Sequence, residues 1–382
     1  MTLIFTERSE LIQGAQRIVV KVGSGVLAAD SSGMVDSKVI RALATQLAPL
    51  RAAGREIIIV SSGAVAMGAQ KLGMPCSPQD IPGKQAAAAV GQSLLIGEYQ
   101  RAFTRRNIIV AQVLLTHGDL SDRQRYLNAR TTLLTLLERG VIPVINENDT
   151  VAVDEIRFGD NDALSSMVAV LTEAHLLIIL SDVDGLYSSN PRTDPEAEFI
   201  PVVKKVTRKI SGFAGRSAST WGTGGMETKV IAAGRCTSAG ISTVIVNGKK
   251  KSIIADTMEG AQEGTFFFPL KDVLSAKKRW IAHTLKIRGI IEIDAGAEHA
   301  VLKGKKSVLP AGVVHVSGGF KRGDAISCVN SDKTEVARGR TNFGAFDLGK
   351  RKGLKTSQVR DVLGYKMADE VIHKDNLVTL EE

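Results

Sequence analysis

The chain has 382 residues, of which 44% are hydrophobic and 23% charged, and these are the fractions of a soluble globular protein. Its three cysteines, Cys76, Cys236 and Cys328, lie far apart and form no CxxC pair, so neither a disulfide framework nor a zinc site is indicated and a cytoplasmic location is expected. We expect no export signal and no membrane span, because charged residues interrupt the first 16 positions and no stretch approaches 18 apolar residues.

The first 250 residues alternate short apolar segments with longer helical patterns, which is typical of βαβ units around a mostly parallel sheet. Uninterrupted apolar runs such as Ile57-Ile58-Ile59-Val60 favour strands that are covered on both faces. We therefore predict an α/β fold, a three-layer α/β/α sandwich, for residues 1–268. The predicted strands are 17–22, 56–61, 108–115, 141–145, 176–181 and 243–246. The predicted helices are 37–53, 63–72, 84–103, 122–139, 162–174 and 226–239.

The pattern changes after residue 268, which predicts a second domain. Residues 269–287 read as a polar, basic linker, and residues 288–382 as a small β-rich domain with a C-terminal tail, with strands at 290–294, 313–316 and 325–329. The net charge of +9 is concentrated here, since residues 270–382 contain 21 Lys and Arg against 14 Asp and Glu. A basic module is compatible with RNA or another polyanion. Lysine-rich surfaces are common, however, so the charge alone is weak evidence for a polyanionic partner.

Small or polar residues follow four of the predicted strands directly. Open parallel sheets bind ligands at the carboxyl ends of their strands, so these residues predict one shared ligand cleft. The four strand ends are Lys21-Val22-Gly23-Ser24-Gly25, Ser61-Ser62-Gly63-Ala64, Asn146-Glu147-Asn148-Asp149 and Ser181-Asp182.

A glycine-rich turn, residues 223–229, precedes the last helix of the predicted sandwich. The start of a helix presents free backbone N–H groups and a partial positive charge, which favour an anion such as phosphate. Gly224 and Gly225 let the backbone approach a ligand closely, and Lys229 adds a full charge one turn later. By itself this segment is equally compatible with an ordinary glycine loop before a surface helix.

Gly23-Ser24-Gly25-Val26-Leu27-Ala28 also fits the dinucleotide-binding pattern GxGxxA. That pattern requires an acidic residue at the end of the second strand, where this chain has Ser61 and Ser62, and it leaves Lys21 without a role. A nicotinamide or flavin enzyme is therefore disfavoured. The Walker A loop and the protein-kinase motifs are absent from the sequence.

Phosphoryl transfer would use all of these parts, because in this chemistry the protein mainly positions reactants and neutralises charge on the moving group. Lys21 and Lys229 could contact that group from two sides, with Asp162 aiming both ammonium groups and the Gly23 amide donating to an oxygen. Asn and Asp side chains at the strand ends could bind the amine and carboxylate of a small acceptor. The acidic residues around Asp162 could instead serve as a helix cap, and residues 146–149 as an Asx turn.

Seven segments carry a resemblance to a known family. They are Val20-Lys21-Val22-Gly23-Ser24, Val60-Ser61-Ser62-Gly63-Ala64-Val65-Ala66, Leu114-Leu115-Thr116 with Asn128-Ala129-Arg130, Pro143-Val144-Ile145-Asn146-Glu147-Asn148-Asp149, Gly159-Asp160-Asn161-Asp162, Ser181-Asp182-Val183-Asp184-Gly185-Leu186-Tyr187 and Gly222-Thr223-Gly224-Gly225-Met226-Glu227-Thr228-Lys229. This combination resembles the glutamate 5-kinase family of the amino-acid kinase superfamily. Residues 289–366 resemble the PUA domain that follows the kinase domain in that family.

The resemblance implies ATP-dependent phosphorylation of the γ-carboxylate of L-glutamate, the first step of proline synthesis, with magnesium as cofactor and commonly with feedback inhibition by proline. It implies catalytic roles for Lys21, Asp162 and Lys229. The predicted ATP-binding residues are Lys21, Gly23, Ser24, Ser181, Asp182, Thr223, Gly224, Gly225, Met226, Glu227, Thr228 and Lys229. The predicted acceptor-binding residues are Ser62, Asp149 and Asn161, together with their neighbours Gly63, Asn146 and Asp160. No acidic cluster identifies the magnesium ligands.

The resemblance also implies a dimer or tetramer formed through the kinase domain. Two alternatives stay open: a kinase for another small carboxylate or carbamate acceptor, and an RNA-binding protein that acts through the PUA domain. RNA binding is not expected, because aromatic residues that could stack on bases are few. The main candidates are Phe320, Phe343, Phe346 and Tyr365.

Overall fold

The computed structural model of the protein describes residues 2–28, 35–75, 80–151, 161–214, 225–270, 281, 285–354 and 370–380. The chain divides into two compact units, Met1–Val273 and Leu274–Glu382. None of the described helices is both long and apolar enough to cross a bilayer.

Ten described strands belong to the first unit. They are β1 (Arg17–Val22), β2 (Glu56–Ser61), β3 (Val110–Leu115), β4 (Ile142–Glu147), β5 (Leu176–Ser181), β6 (Leu186–Tyr187), β7 (Phe199–Ile200), β8 (Val202–Val203), β9 (Ser242–Asn247) and β10 (Thr265–Phe267). Within the described residues, eight of them form one sheet in the order β3-β4-β2-β1-β5-β9-β10-β8, in which only the β9–β10 pair is antiparallel. Strands β6 and β7 form a separate hairpin. The mostly parallel sheet predicted from the sequence is confirmed.

Eleven helices of the first unit are described. They are α1 (Thr2–Gln13), α2 (Ser24–Leu27), α3 (Ser37–Ala52), α4 (Ala64–Lys71), α5 (Ile81–Thr104), α6 (His117–Ser121), α7 (Arg123–Glu138), α8 (Asn161–Thr172), α9 (Arg208–Phe213), α10 (Met226–Ser238) and α11 (Ile253–Met258).

Helices cover both faces of the sheet. On one face, α3, α5 and α11 share a buried apolar core with Ile18, Val20 and Val22 of β1. On the other face, α8 contacts β1 and packs against α7 and α10. Because successive side chains of a strand point to opposite faces, Lys21 of β1 points towards the α8 and α10 layer. The three-layer sandwich is confirmed, and its strand alternation decides which layer receives this lysine.

Helix α1 was not predicted from the sequence. It buries the charged Arg8 together with Ile12, so no continuous apolar stripe marks the side that faces the core. The Arg8 guanidinium donates hydrogen bonds to the carbonyl oxygens of Ala261, at 3.2 Å, and Glu263, and its carbon lies 5.6 Å from the ring centre of Phe266. These partners come from a distant part of the chain, which is why a local pattern could not reveal the helix.

The second unit contains a five-stranded sheet in the described residues. Its strands are β11 (Ile287–Ile293), β12 (Val313–Ser317), β13 (Ala325–Val329), β14 (Glu335–Arg340) and β15 (Leu377–Thr379), in the order β12-β11-β13-β14-β15. Its helices are α12 (Ala295–Leu302) and α13 (Ala345–Gly349), and short 3₁₀ turns lie at Pro310–Gly312 and Lys374–Asn376. The β-rich character is confirmed. Strands β14 and β15 were missed, because the first carries three charged side chains and the second has only three residues.

Two of the aromatic residues predicted to be candidates for base stacking belong to the core of this unit. Phe320 and Phe343 are buried, so the expectation that they could face RNA is wrong. Phe346 is 75% exposed and has the Lys350 ammonium 4.1 Å from its ring centre. Tyr365 lies outside the described residues.

Helices α4 and α5 cross at unusually close range, because each carries a glycine at the crossing. A Cβ on Gly68 would lie 1.7 Å from the carbonyl oxygen of Ala87, and one on Gly91 would lie 1.8 Å from that of Ala64. No side chain larger than hydrogen fits there without moving a backbone. The crossing therefore fixes the position of α5 relative to the segment that leaves β2.

We expect Gly91→Ala to lower the free energy of unfolding of the first unit by at least about 2 kcal/mol, because the added methyl group would overlap a backbone carbonyl. Gly97→Ala is the matched control, since a methyl group added at that position of the same helix would have open space around it out to 4 Å. That change should be neutral or stabilise by up to about 1 kcal/mol through helix propensity. Urea unfolding of both variants measures the difference, and equal stabilities would contradict the close crossing.

Candidate active site

Two lysines from separate elements converge on one buried carboxylate. The Lys21 Nζ lies 2.6 Å from Asp162 Oδ1, and the Lys229 Nζ lies 3.1 Å from Asp162 Oδ2. All three side chains are buried, with Asp162 completely inaccessible. Both lysines thus converge on Asp162, and the catalytic roles of the three residues stay a prediction.

Each member of this triad comes from a regular element that restricts its position. Lys21 is the fifth residue of β1, Asp162 lies in the first turn of α8, and Lys229 is the fourth residue of α10. Helices α8 and α10 pack against each other, and both lie on the face to which Lys21 points. A carboxylate in the first turn of α8 also interacts favourably with the helix dipole.

The ionisation of Asp162 depends on its neighbours. Burial would raise the pKa of this carboxyl group, but the charges of Lys21 and Lys229, with a hydrogen bond from Thr228, hold it well below its ordinary value. Thr228 Oγ1 lies 2.7 Å from Asp162 Oδ2. Asp162 is therefore a carboxylate at every pH near neutrality, and both lysines have a negative partner.

The N-terminus of α10 opens towards this triad. Its N-cap residue, Gly225, has no side chain to accept from the first N–H groups of the helix, and its carbonyl oxygen accepts from Lys229 Nζ at 3.3 Å. Met226 and Thr228 lie in the same first turn, with Glu227 exposed between them. Gly225 therefore leaves these N–H groups without a cap from its own side chain, and N–H groups at a helix start beside an ammonium group favour a phosphate.

Gly23 lies directly over Lys21. A Cβ at position 23 would be 3.2 Å from Lys21 Nζ, so glycine leaves the space above this ammonium group open. Gly23 is the N-cap of the single-turn helix α2, which begins at Ser24. Open space beside an ammonium group is compatible with the phosphate groups of a ligand.

On the side of β2 and β4, a set of amide and hydroxyl groups forms a connected network. Asn161 Nδ2 donates to Ser62 Oγ at 2.8 Å and to Asn146 Oδ1 at 3.1 Å. Gly63, directly after Ser62, has φ of +104°, and a Cβ there would lie 3.0 Å from a methyl group of Val35. Glycine is therefore required at this turn for backbone reasons, in addition to any contact with a ligand.

Asp149 follows β4 at the same edge of the sheet. Burial raises the pKa of this carboxyl group to about 6. A carboxylate whose charged form is disfavoured by burial gains most from a positively charged ligand, such as the ammonium group of an amino acid.

Ser181 is the last residue of β5, and Asp182 follows it directly. Ser181 is buried, whereas Asp182 is exposed and its carboxylate pairs with Arg192 at 2.9 Å. Burial acts to raise the pKa of Asp182, but the hydrogen bond and charge of Arg192, and the charge of Lys229, lower it. Asp182 follows β5, the neighbour of β1, at the same edge of the sheet as the triad.

The parallel order β4-β2-β1-β5 places the four predicted strand ends at one edge of the sheet, and the contacts above join Lys21 to Lys229 through Asp162 and Ser62 to Asn146 through Asn161. Asp160, Thr223 and Gly224 lie outside the described residues. Among the residues that are described, no group of three or more His, Cys, Asp or Glu side chains could bind a metal ion by itself. Magnesium commonly binds through nucleotide phosphates and keeps several water ligands, so the site is compatible with it.

Sequence analysis missed two residues of α5 that support the site. Gln92 accepts a hydrogen bond from Asn146 Nδ2 at 2.8 Å, and the Tyr99 hydroxyl donates to Ser61 Oγ at 2.9 Å. Both are buried although both are polar. A polar residue on the apolar face of a predicted helix is a signal that could have identified them.

Known protein families match both parts of the chain. The model of the amino acid kinase family matches residues 16–247, and the model of the PUA domain matches residues 289–363. The glutamate 5-kinase of Geobacter sulfurreducens is 49% identical over 373 residues, which cover 98% of this chain and 100% of the relative. The glutamate 5-kinase of Pelobacter propionicus is 48% identical over 373 residues with the same coverage.

We expect Asp162→Asn to lower the free energy of unfolding of the ligand-free protein by about 3 kcal/mol at pH 7, because it leaves two buried ammonium groups without their anion. The lowered pKa of Asp162 means that its stabilisation is present at neutral pH and is lost only in strong acid. Urea unfolding at pH 7 measures the effect.

Asp182→Asn is the control for this comparison, since its ion pair with Arg192 is exposed and should contribute less than about 1 kcal/mol. If Asp162→Asn is as stable as Asp182→Asn, the carboxylate does not offset the charge of the two lysines.

Proposed function

The chain belongs to the glutamate 5-kinase family, and we propose that it transfers the γ-phosphoryl group of ATP to the γ-carboxylate of L-glutamate. The products are γ-glutamyl phosphate and ADP, and the reaction is the first step of proline biosynthesis. The observation that carries this proposal is the convergence of Lys21 and Lys229 on the buried carboxylate of Asp162.

In this reaction a γ-carboxylate oxygen of glutamate forms a bond to the γ-phosphorus of ATP. The bond from that phosphorus to the bridging oxygen breaks, and ADP leaves with the electron pair. The acceptor carboxylate is already ionised at neutral pH, so no general base is required. The task of the protein is to place the two reactants in line and to neutralise the charge that spreads over the phosphoryl oxygens.

Lys21 and Lys229 perform the neutralisation in this proposal. Each ammonium group keeps a fixed direction because it is bound to one oxygen of Asp162. Donors that are already oriented need no reorganisation as the reaction proceeds, which is the main source of electrostatic catalysis. The N–H groups at the start of α10, with Ser181 and Asp182 at the rim, bind the nucleotide. Magnesium, when bound with ATP, supplies further positive charge to the phosphates.

The acceptor lies on the side of β2 and β4. Ser62, Asn146, Asn161 and Asp149 bind the amino-acid end of glutamate, so that the γ-carboxylate extends towards the lysines. The ionised Asp149 pairs with the α-ammonium group of glutamate. Kinases for aspartate, N-acetylglutamate or carbamate would need a different set of groups here. Testing these acceptors in the same assay therefore distinguishes a glutamate kinase from its relatives.

Three further properties are part of the proposal and follow from family membership. Proline inhibits the enzyme, the chain forms a dimer or tetramer through its kinase domain, and it acts in the cytoplasm. A coupled assay of ADP release with glutamate, ATP and magnesium, repeated with proline, tests the function and its inhibition together. Release of ADP that does not depend on glutamate would refute the assignment.

Lys229→Ala should reduce kcat for glutamate-dependent ADP release by about 10² or more, because it removes one of two oriented charges from the migrating group. Lys38→Ala, a change at an exposed lysine on α3, should leave kcat unchanged. The coupled assay at saturating substrates measures both. A similar kcat for the two variants would rule out a role of Lys229 in the chemical step.

The raised pKa of Asp149 predicts a pH dependence. As the pH falls below about 6, this carboxyl group becomes protonated and can no longer pair with an ammonium group, so kcat/KM for glutamate should fall about tenfold per pH unit. The γ-carboxyl group of glutamate, with an ordinary pKa of about 4.3, stays ionised through most of this range.

Asp149→Asn should have a low kcat/KM that is flat between about pH 5 and pH 7. The free energy of unfolding supplies a second measurement, which changes with pH in the opposite direction to kcat/KM. The native state binds the Asp149 proton more tightly than the unfolded state, so this residue makes the free energy of unfolding decrease as the pH rises from about 4 to about 6. That contribution should be missing from Asp149→Asn, and its persistence would show that another group titrates.

A further inference from the structure

We propose that Gln92, a residue of α5 with no part in phosphoryl transfer, is a positioning residue that makes the acceptor site select for an ammonium group. The inference rests on the proposed function, because it concerns how glutamate is distinguished from a similar acid that lacks the amine. Gln92 does not belong to a strand end or to any motif in the sequence.

Gln92 is held in the interior by the packing of α5. It is 8% exposed, and it follows Gly91, which lies against the backbone of α4 at Ala64. Buried residues on the same side of the helix, Ala88 and Leu95, lie four residues before and three residues after it. A glutamine at such a position costs free energy unless its amide is hydrogen-bonded.

A relay of hydrogen bonds runs from Gln92 to the acceptor site. Gln92 Oε1 accepts from Asn146 Nδ2 at 2.8 Å, and Asn146 Oδ1 accepts from Asn161 Nδ2 at 3.1 Å. Asn161 Nδ2 also donates to Ser62 Oγ at 2.8 Å. Three amides from α5, β4 and α8 are thus connected in one direction.

Two backbone groups favour one direction of this relay, because a backbone group cannot exchange the role of donor for that of acceptor. The N–H of Glu147 donates to Asn146 Oδ1 at 2.9 Å, so the oxygen of Asn146 must face Glu147 and its NH₂ group must face Gln92. The carbonyl oxygen of Ser61 lies 3.4 Å from Asn161 Nδ2, which places the NH₂ group of Asn161 on that side. The main chain therefore favours this orientation at Glu147 and Ser61, and Gln92 Oε1 supplies the acceptor that the NH₂ group of Asn146 needs on the other side.

The consequence appears at the far end of the relay. With its NH₂ group committed to Ser62, Asn146 and Ser61, Asn161 has its Oδ1 turned away from them. That oxygen is buried and has no hydrogen-bond partner among the residues that the structure describes. A buried acceptor without a donor is unfavourable, and an ammonium group would satisfy it well.

Gln92 is the support for this arrangement. Without an acceptor at position 92, Asn146 Nδ2 would be left buried and unpaired, and the Asn146 amide would gain by rotating towards another partner. The NH₂ group of Asn146 would then face Asn161. The Asn161 amide would turn so that its oxygen accepts from Asn146 and its NH₂ group faces the ligand. An NH₂ group repels an ammonium group, so selection for the amine would be weakened, with Asp149 as its remaining partner, while binding of the carboxylate groups would be unchanged.

The experiment compares L-glutamate with glutarate, which has both carboxylates and no amine. In Gln92→Met, a change of similar size that removes the acceptor, we expect KM for glutamate to rise about 10-fold to 100-fold. The inhibition constant of glutarate against glutamate, the KM for ATP and kcat at saturation should each change by less than about threefold. A general loss of packing would weaken glutamate and glutarate alike.

Gln92→Glu keeps an acceptor oxygen at the same place and should retain at least a tenfold larger preference for glutamate than Gln92→Met. Gln100→Met, the same change at an exposed site of α5, is the control and should match the unmodified protein. Thermal unfolding checks that each variant is folded, and Gln92→Leu replaces Gln92→Met if that variant is not.

The inference is overturned if Gln92→Met or Gln92→Leu keeps the original ratio of glutamate KM to glutarate inhibition constant, or if Gln92→Glu loses it to the same extent. Failure of the unmodified protein to phosphorylate glutamate would instead refute the proposed function.

Discussion

The pairing of two buried ammonium groups with one buried carboxylate is the interaction on which the site depends. Moving three charged groups out of water costs several kcal/mol per ion, and only close contacts offset this. Lys21 and Lys229 each contact a separate oxygen of Asp162, at 2.6 and 3.1 Å, and the triad keeps a net positive charge. A phosphoryl group arriving beside it supplies the missing negative charge. The feature that is costly in the empty protein therefore becomes favourable when the reaction takes place.

The sheet explains how two lysines from opposite ends of the first unit's sequence come together. Strand alternation sends Lys21 to the face covered by α8 and α10, and the parallel order β4-β2-β1-β5 brings four carboxyl ends to one edge. The first turns of α8 and α10 then supply Asp162 and Lys229 where helix dipoles favour an anion. Moving Lys21 by one residue along β1 would turn its side chain to the opposite layer, and moving Lys229 by one residue would rotate it by about 100° around the axis of α10.

Sequence patterns predicted most of the sandwich because its strands are continuous apolar runs, and β1, β2 and β5 have the predicted limits. The residues of the triad were predictable for a similar reason, since charged groups stand out against apolar strands and glycine turns. Helix α1 was not predictable in this way, and the polar residue Gln92 on the apolar face of α5 signals a buried position but does not identify its partner Asn146. Both the helix and this pairing depend on contacts between segments far apart in the chain, such as Arg8 with residues 261 and 263, and no local pattern encodes them.

The two halves of the cleft use different kinds of group, and the chemistry requires the difference. Full charges line the half where the phosphoryl group moves, because spreading negative charge needs strong compensation. The acceptor half carries the amides of Asn146 and Asn161, the Ser62 hydroxyl and the Asp149 carboxylate but no lysine among these groups, and additional lysines there would attract phosphate away from its path. Amides recognise a ligand by the direction of their hydrogen bonds, and a direction must be imposed from outside the site. One face of helix α5 supplies two such hydrogen bonds. Gln92 accepts from Asn146, and Tyr99, two turns later, donates to Ser61. Selection of the acceptor therefore depends on the buried face of α5, and the close crossing of α4 and α5 keeps that helix in place.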